Sequence, residues 1–179
     1  MSLLADLRDD LLAKQALYSQ YGDKHTMIRI LLADGTLANV LYRFQAALVS
    51  WHLAPLALLP HLINKWVNGC VIGVHAQFGP GLVLIHPIGV VINSAVKGGR
   101  NVRIESGVVI GENRGRFPVL GDDLFIGSGA KIIGGVSLGT GARVGANAVV
   151  LQDVAPGTTV VGIPALPLTD RQTGRSPTP

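Results

Sequence analysis

His86 stands inside an aliphatic run, "GLVLIHPIGVVIN" at residues 81–93, with Pro87 directly after it. A histidine held out to solvent can act as a general base, because a neutral imidazole accepts the proton of a hydroxyl that is by itself a weak nucleophile. A histidine packed among aliphatics cannot, so the question is one of register. Other candidates for chemistry are few. Cys70 has no histidine beside it in the chain and reads as a buried structural thiol rather than an acyl carrier. A shared zinc centre of the γ-carbonic anhydrase kind needs several spaced imidazoles, and after His75 and His86 no histidine follows; no metal is expected.

A repeat supplies the elements that must position His86. Counting in sixes from Ile72 reaches Phe78, Leu84, Val90, Val96, Val102, Val108, Arg114, Leu120, Ile126, Ile132, Leu138, Val144 and Val150, and Arg114 is the one member that is not large and apolar. In a strand, alternate side chains face the same way, so the fifth residue of one hexapeptide and the first of the next both point inward while the corner residues point out. Glycine follows the first position at 73, 79, 121, 127, 139 and 145, where corners are tight. The spacing predicts a parallel β-helix of hexapeptide repeats whose coils stack into one apolar column. In that register Leu82 and Leu84 point in, and His86 and Pro87 fall at a corner. On register alone, a corner histidine without a chemical role remains the alternative. Between Val108 and Leu120 the repeat breaks, and "VIGENRGRFPV" leaves the coil as a loop, the kind of segment that carries function on a rigid scaffold.

The chain divides near residue 70. Residues 1–68 read as a small helical segment: Ser2 caps a helix bearing Leu4, Leu7 and Leu11, and Asp34-Gly35 separates a short second helix from a longer one starting near Thr36. The uncharged stretch from Phe44 to Asn64 is long enough to span a bilayer, but Pro55, Pro60, His52 and His61 interrupt it, which favours a buried or interfacial helix with a proline break. Residues 69–165 form the β-helix, and 166–179, "LPLTDRQTGRSPTP", a disordered tail. With 179 residues, 48% hydrophobic, a net charge of +4 and one cysteine, the chain can bury a core and suits a reducing cytoplasm. It lacks the dense basic runs of a nucleic-acid binder.

"IGVHAQFGPGLVLIHPIGVVIN", "VVIGENRGRFPVLGDDLFIGSGAKIIGGVSLGTGARVGANAVVLQDV" and "VVGIPA" resemble the serine O-acetyltransferases and related hexapeptide acyltransferases over roughly residues 65 to 165. The resemblance implies a left-handed β-helix of about eighteen residues per turn, a homotrimer, and acetyl-CoA as acetyl donor in the groove between subunits. It makes His86 the catalytic base, puts Arg116 before the acceptor carboxylate, and sets Gly111, Ser128 and Ala146 along the pantetheine path with Lys131 and Arg143 toward phosphate. At eighteen residues per turn, the loop around Arg116 would lean over the His86 corner.

Departures from the family bear on the acceptor. Ile85 replaces an aspartate before the histidine, so an orienting partner must be a backbone carbonyl or an acid of the N-terminal segment, such as Asp23 or Asp34, reaching across a subunit boundary. Phe117 stands where the serine enzymes carry a second histidine. A sugar or exopolysaccharide-precursor hydroxyl is therefore the alternative acceptor, with Phe117 stacking on a sugar face and the apolar helix resting near a membrane as a peripheral contact. An inactive β-helix serving as an assembly subunit is the alternative outside enzymes. The tail ends in Pro179 rather than isoleucine, so no cysteine-synthase partner is expected through it.

Overall fold

Hexapeptide spacing becomes a three-faced coil of about four full turns in the computed structural model, which describes residues 2–20 and 26–168. Face A stacks β1 (Val71–Ile72), β4 (Val91–Ile92), β7 (Val109–Gly111), β10 (Lys131–Ile133) and β13 (Val149–Val150). Face B stacks β2 (Gln77–Phe78), β5 (Lys97–Gly98), β8 (Val119–Leu120) and β11 (Ser137–Leu138). Face C stacks β3 (Val83–Leu84), β6 (Arg103–Ile104), β9 (Phe125–Ile126), β12 (Arg143–Val144) and β14 (Thr159–Val161), all in parallel, and closes with β15 (Leu166–Pro167) antiparallel to β14. The chain thus remains paired through Pro167, past the start expected for the tail. Residues 169–179, including the end at Pro179 on which the cysteine-synthase expectation rests, lie outside the described residues.

Inward positions form one column of Val, Ile, Leu and Ala that is almost wholly buried. Two steps depart from six along it. Eight residues separate Leu84 from Ile92, and ten separate Ile110 from Leu120. Both excesses are even, so side-chain alternation survives and the count in sixes still lands on buried residues at Val90, Val96, Val102 and Val108. Together the excesses make one full hexapeptide. The frame is therefore restored at Leu120, and Arg114 was never a core position.

Four helices close the lower end of the coil: α1 (Leu3–Ser19), α2 (Met27–Leu32), α3 (Thr36–Ser50) and α4 (Leu58–Asn68), with a short 3-10 turn at Ala54–Ala57. The break before that turn falls at His52, which takes a left-handed φ of 62°, and Pro55 follows it. The first coil has no strand beneath it, and its downward backbone groups would be buried without partners at about 1–3 kcal/mol each. Side chains of the helices satisfy them one after another. Gln45 donates to Ile72 O and Gly73 O, Tyr42 bonds Ala76 O and Phe78 N, and Arg43 donates to Phe78 O and Gly79 O. Asp10 accepts from Gly81 N and Leu82 N, while Asn39 both donates to Leu82 O and accepts from Leu84 N.

This cap decides which face of α1 turns inward. The buried stripe is Asp6, Asp10, Lys14 and Leu17, whereas Leu4 is 77% exposed; the N-cap Ser2 makes no side-chain cap bond. Asp10 also holds Arg43 in a buried ion pair at 2.7 Å. Asp10→Ala leaves that guanidinium and two amides unpaired, and urea unfolding should show a loss of about 3–5 kcal/mol at unchanged slope. Leu4→Ser should change stability by no more than about 0.5 kcal/mol in the same measurement, the reverse of what the leucine stripe suggests.

Candidate active site

The two extra residues between Leu84 and Ile92 widen the corner from face C to face A, and His86 sits on that widening. Pro87 is buried and carries the turn, while the His86 side chain is 54% exposed. Register thus places the imidazole outside the core, as the repeat predicted. Its Nδ1 lies 3.2 Å from Asp34 Oδ2. A carboxylate accepting the Nδ1 proton fixes the tautomer and leaves the Nε2 lone pair free to take a proton.

Asp23 lies outside the described residues, while Asp34, also named for this place, makes the contact within its own chain rather than across a subunit boundary. It is carried by the turn between α2 and α3. Gly35 follows it with φ of 79°, and a Cβ there would come within 2.0 Å of Leu84 O. Only glycine lets this turn rest on the strand leading to His86. Lys14 fastens the arrangement from below. Its ammonium is buried and donates to Asp34 O, to Thr36 Oγ1 (2.9 Å) and to Leu84 O (3.5 Å), so one cation ties the Asp34 turn to the His86 strand.

Two more groups at this corner have no signal in the sequence. Glu105 stacks one coil above Ile85, because Ile85 N donates to Ile104 O and Leu84 pairs with Ile104; its carboxylate accepts from Ser128 Oγ at 3.0 Å. Burial, then the charges of Asp34 and Glu105, push the Tyr18 phenol above its ordinary range, so the two carboxylates both act on one ring. Turns of unequal length hide such neighbours: Leu84 pairs with Ile104 and Ile104 with Ile126, twenty and then twenty-two residues on.

The structure divides the remaining predicted residues between two edges of face A. Ser128 and Ala146 stack above His86 at the C-to-A corner, where Asn147 N donates to Ser128 O and Gly129 N to Ser106 O. Lys131 reaches that edge and donates to Gly107 O at 2.6 Å. Arg143 approaches it along face C, its guanidinium 4.8 Å from the Phe125 ring centre. Gly111, Arg116 and Phe117 sit at the opposite, A-to-B edge. Strands rise about 3.3 Å per residue, so roughly 15 Å of face A intervenes. The loop does not lean over the His86 corner of its own chain. It is a tight hairpin in which Asn113 and Arg116 exchange backbone bonds around Arg114 and Gly115, both left-handed, and it rests on the next coil at Gly134 and Gly135.

Above His86 the stacked corners carry Ser106, Gly107, Ser128, Gly129, Ala146 and Asn147 beside Glu105, a ledge of mostly small side chains. Cys70 is fully buried, and burial pushes its thiol up to about 12, which removes it as a nucleophile. Among the described residues no group of His, Cys, Asp and Glu is arranged to hold a metal ion, and no helix is long and apolar enough to cross a membrane. A cavity of about 430 Å³ between α3 and face B is lined by Tyr42 and Arg43, whose polar atoms serve the cap, and lies away from His86.

Residues 117–152 match the family described as bacterial transferase hexapeptide (six repeats). The chain is 36% identical over 145 residues to the serine acetyltransferase of Helicobacter pylori, spanning 78% of this chain and 84% of that protein. It is also 36% identical over 139 residues to the serine acetyltransferase of Bacillus subtilis, spanning 75% and 64%. Among solved structures, a serine acetyltransferase in complex with CoA superposes with a TM-score of 0.84 at 28% identity, over 93% of this chain and 70% of that one. Soybean serine acetyltransferase complexed with serine gives 0.81 at 34% identity, over 91% and 70%. The coil is the left-handed parallel β-helix of those proteins.

Burial lowers the Lys14 ammonium to about 8, although the charge of Asp34 works the other way. Between about pH 8 and 10.5 the unfolded chain holds a proton that the folded protein has released, so stability rises with pH through that window. At about 1.4 kcal/mol per pH unit, urea unfolding should show wild type gaining on the order of 3 kcal/mol relative to Lys14→Met between those limits. A constant difference would mean that Lys14 keeps its ordinary affinity for the proton.

Proposed function

The chain belongs to the serine acetyltransferases, acetyl-CoA-dependent O-acetyltransferases, and from that premise we propose that His86 is its general base and Asp34 the group that orients it. The 3.2 Å contact between them carries the reading. His86 Nε2 takes the proton of the acceptor hydroxyl as its oxygen attacks the thioester carbonyl of acetyl-CoA. The tetrahedral intermediate, its oxyanion held by backbone amides, then expels the CoA thiolate, to which the imidazolium returns the proton. Gly111, Ser128 and Ala146 would line the pantetheine path, and Lys131 and Arg143 would meet phosphate. A donor of this kind and a lone buried thiol both fit a cytoplasmic enzyme.

A homotrimer would unite the two edges. The outward row on face A pairs Val71, Val91, Val109, Lys131 and Val149 in register, a mostly apolar strip suited to a neighbouring copy. Across such an interface the hairpin of one protomer, with Arg116 and Phe117, would meet the His86 corner of the next. Light scattering at micromolar concentration should give three times the chain mass; a monomer would remove the shared site.

The first acceptor reading is serine, the substrate named for the soybean relative. Glu105 favours it, since this carboxylate stacked over Ile85 puts an acid back at the corner where an ammonium group would sit. The second reading, a sugar hydroxyl, draws on the half-buried Phe117, whose ring face suits a pyranose. An acceptor screen that follows CoA release from acetyl-CoA decides between them. With the better acceptor, His86→Ala should lower turnover by about 10² to 10⁴ while acetyl-CoA affinity and melting temperature hold. Asp34→Asn should fall between that variant and wild type. Undiminished turnover in His86→Ala would end the assignment.

A further inference from the structure

Of the three buried charged side chains of α1, two are committed to the cap. Asp10 accepts from Gly81 N and Leu82 N and pairs with Arg43, and Lys14 donates to Asp34 O, Thr36 Oγ1 and Leu84 O. The third, Asp6, lies one turn before Asp10 on the same stripe and is only 9% exposed. Among the described residues nothing donates a hydrogen bond to its carboxylate, and it forms no ion pair. The first turn of a helix suits an acid, but an acid serving the helix end alone would gain by facing water. Asp6 faces a cavity of about 430 Å³ enclosed by α1, α3 and the first two coils.

The walls of this cavity are mostly apolar: Leu3 from α1, Ala46, Ala47 and Val49 from α3, and Val74 from the A-to-B corner. Its other inner polar groups already have partners. The Tyr42 hydroxyl bonds Ala76 O and Phe78 N, and the Arg43 guanidinium holds Asp10, Phe78 O and Gly79 O. Because Arg43 and Asp10 neutralise each other at 2.7 Å, Asp6 leaves the inner wall with one negative charge in excess. His75 and Lys97 also line the cavity, but both are exposed, where water and salt screen them. A carboxylate held out of water without a donor is costly, and a ligand bringing N–H donors and positive charge offsets that cost. A metal ion fits poorly, since one carboxylate among methyl groups cannot replace its oxygen shell. An anion would meet Asp6 itself. A primary ammonium on a small apolar body matches both the carboxylate and the walls.

We propose that the cavity between α1, α3 and face B binds a small primary amine with an aliphatic or aromatic body, its ammonium donating to Asp6. The site lies away from His86, and its test needs no acetyl transfer. Binding to the intact protein at pH 7 is measured by calorimetric titration and by melting temperature. Pentylamine and phenethylamine are the probes, with 1-pentanol and pentanoate as neutral and anionic counterparts. At least one amine should bind saturably and raise the melting temperature, as any ligand of the folded state does. The alcohol and the carboxylate should bind at least about tenfold more weakly. Asp6→Asn keeps the shape and removes the charge, so it should weaken amine binding by about tenfold or more while melting no lower than wild type without ligand. Ala47→Leu, which fills the cavity, should abolish binding in a folded protein. The proposal is overturned if neither amine binds, if 1-pentanol or pentanoate binds as tightly as pentylamine, or if folded Asp6→Asn or Ala47→Leu binds the amine like wild type. A fall of several degrees in the melting temperature of ligand-free Asp6→Asn would make Asp6 a partner within the cap and would equally end the proposal.

Discussion

The open end of the first coil is the constraint on which the rest of the molecule depends. A parallel β-helix pairs each coil with the next, so its first coil presents a full row of backbone donors and acceptors with nothing below. Left bare, that row would invite solvent into the apolar column or another chain onto the edge. Here the helical segment supplies a partner group by group, from Gln45 and Tyr42 through Arg43, Asp10 and Asn39 to Lys14. The segment is thus the terminal cap that a stacked repeat requires.

That duty dictates which side of each helix faces in. A helix that must satisfy both amides and carbonyls presents Asp, Asn, Arg and Lys to the protein, and most of its leucines stay wholly or partly exposed. α1 buries Asp6, Asp10 and Lys14, and α4 buries Asn64. The cost of burying a charge is met locally: Asp10 and Arg43 neutralise each other at 2.7 Å and spend their remaining capacity on strand backbone. The same arrangement leaves α4 with an apolar outer surface.

The His86 corner is an offshoot of the cap. Lys14 joins the last capped carbonyl, Leu84 O, to the turn before α3, and Gly35 lets that turn press on the strand. Asp34 then stands beside His86 because both are anchored to one short piece of backbone. Ile85 brings no carboxylate beside His86, and carboxylates come instead from the α2–α3 turn and from Glu105 in the coil above.

How much of this was legible in the sequence follows from the range of each interaction. The sixfold spacing fixed the strands, their inward residues and the outward placement of His86, because alternation along a strand is local and survives even-numbered insertions. The helix boundary at Asp34-Gly35 was equally local. By contrast, the leucine spacing of α1 gives no sign that Asp6, Asp10 and Lys14 form its buried face, since hydrophobic periodicity assumes an apolar partner and this partner is a row of backbone amides and carbonyls. The hairpin bearing Arg116 leaves the coil between faces A and B, with face A between it and the corner above His86, so within one chain it does not reach that corner. The pairing of His86 with Asp34, 52 residues apart, depended on the cap being docked. Composition and period determined the coil; only the tertiary structure decided which polar groups share a corner, because that depends on how the unpaired end of the coil is satisfied.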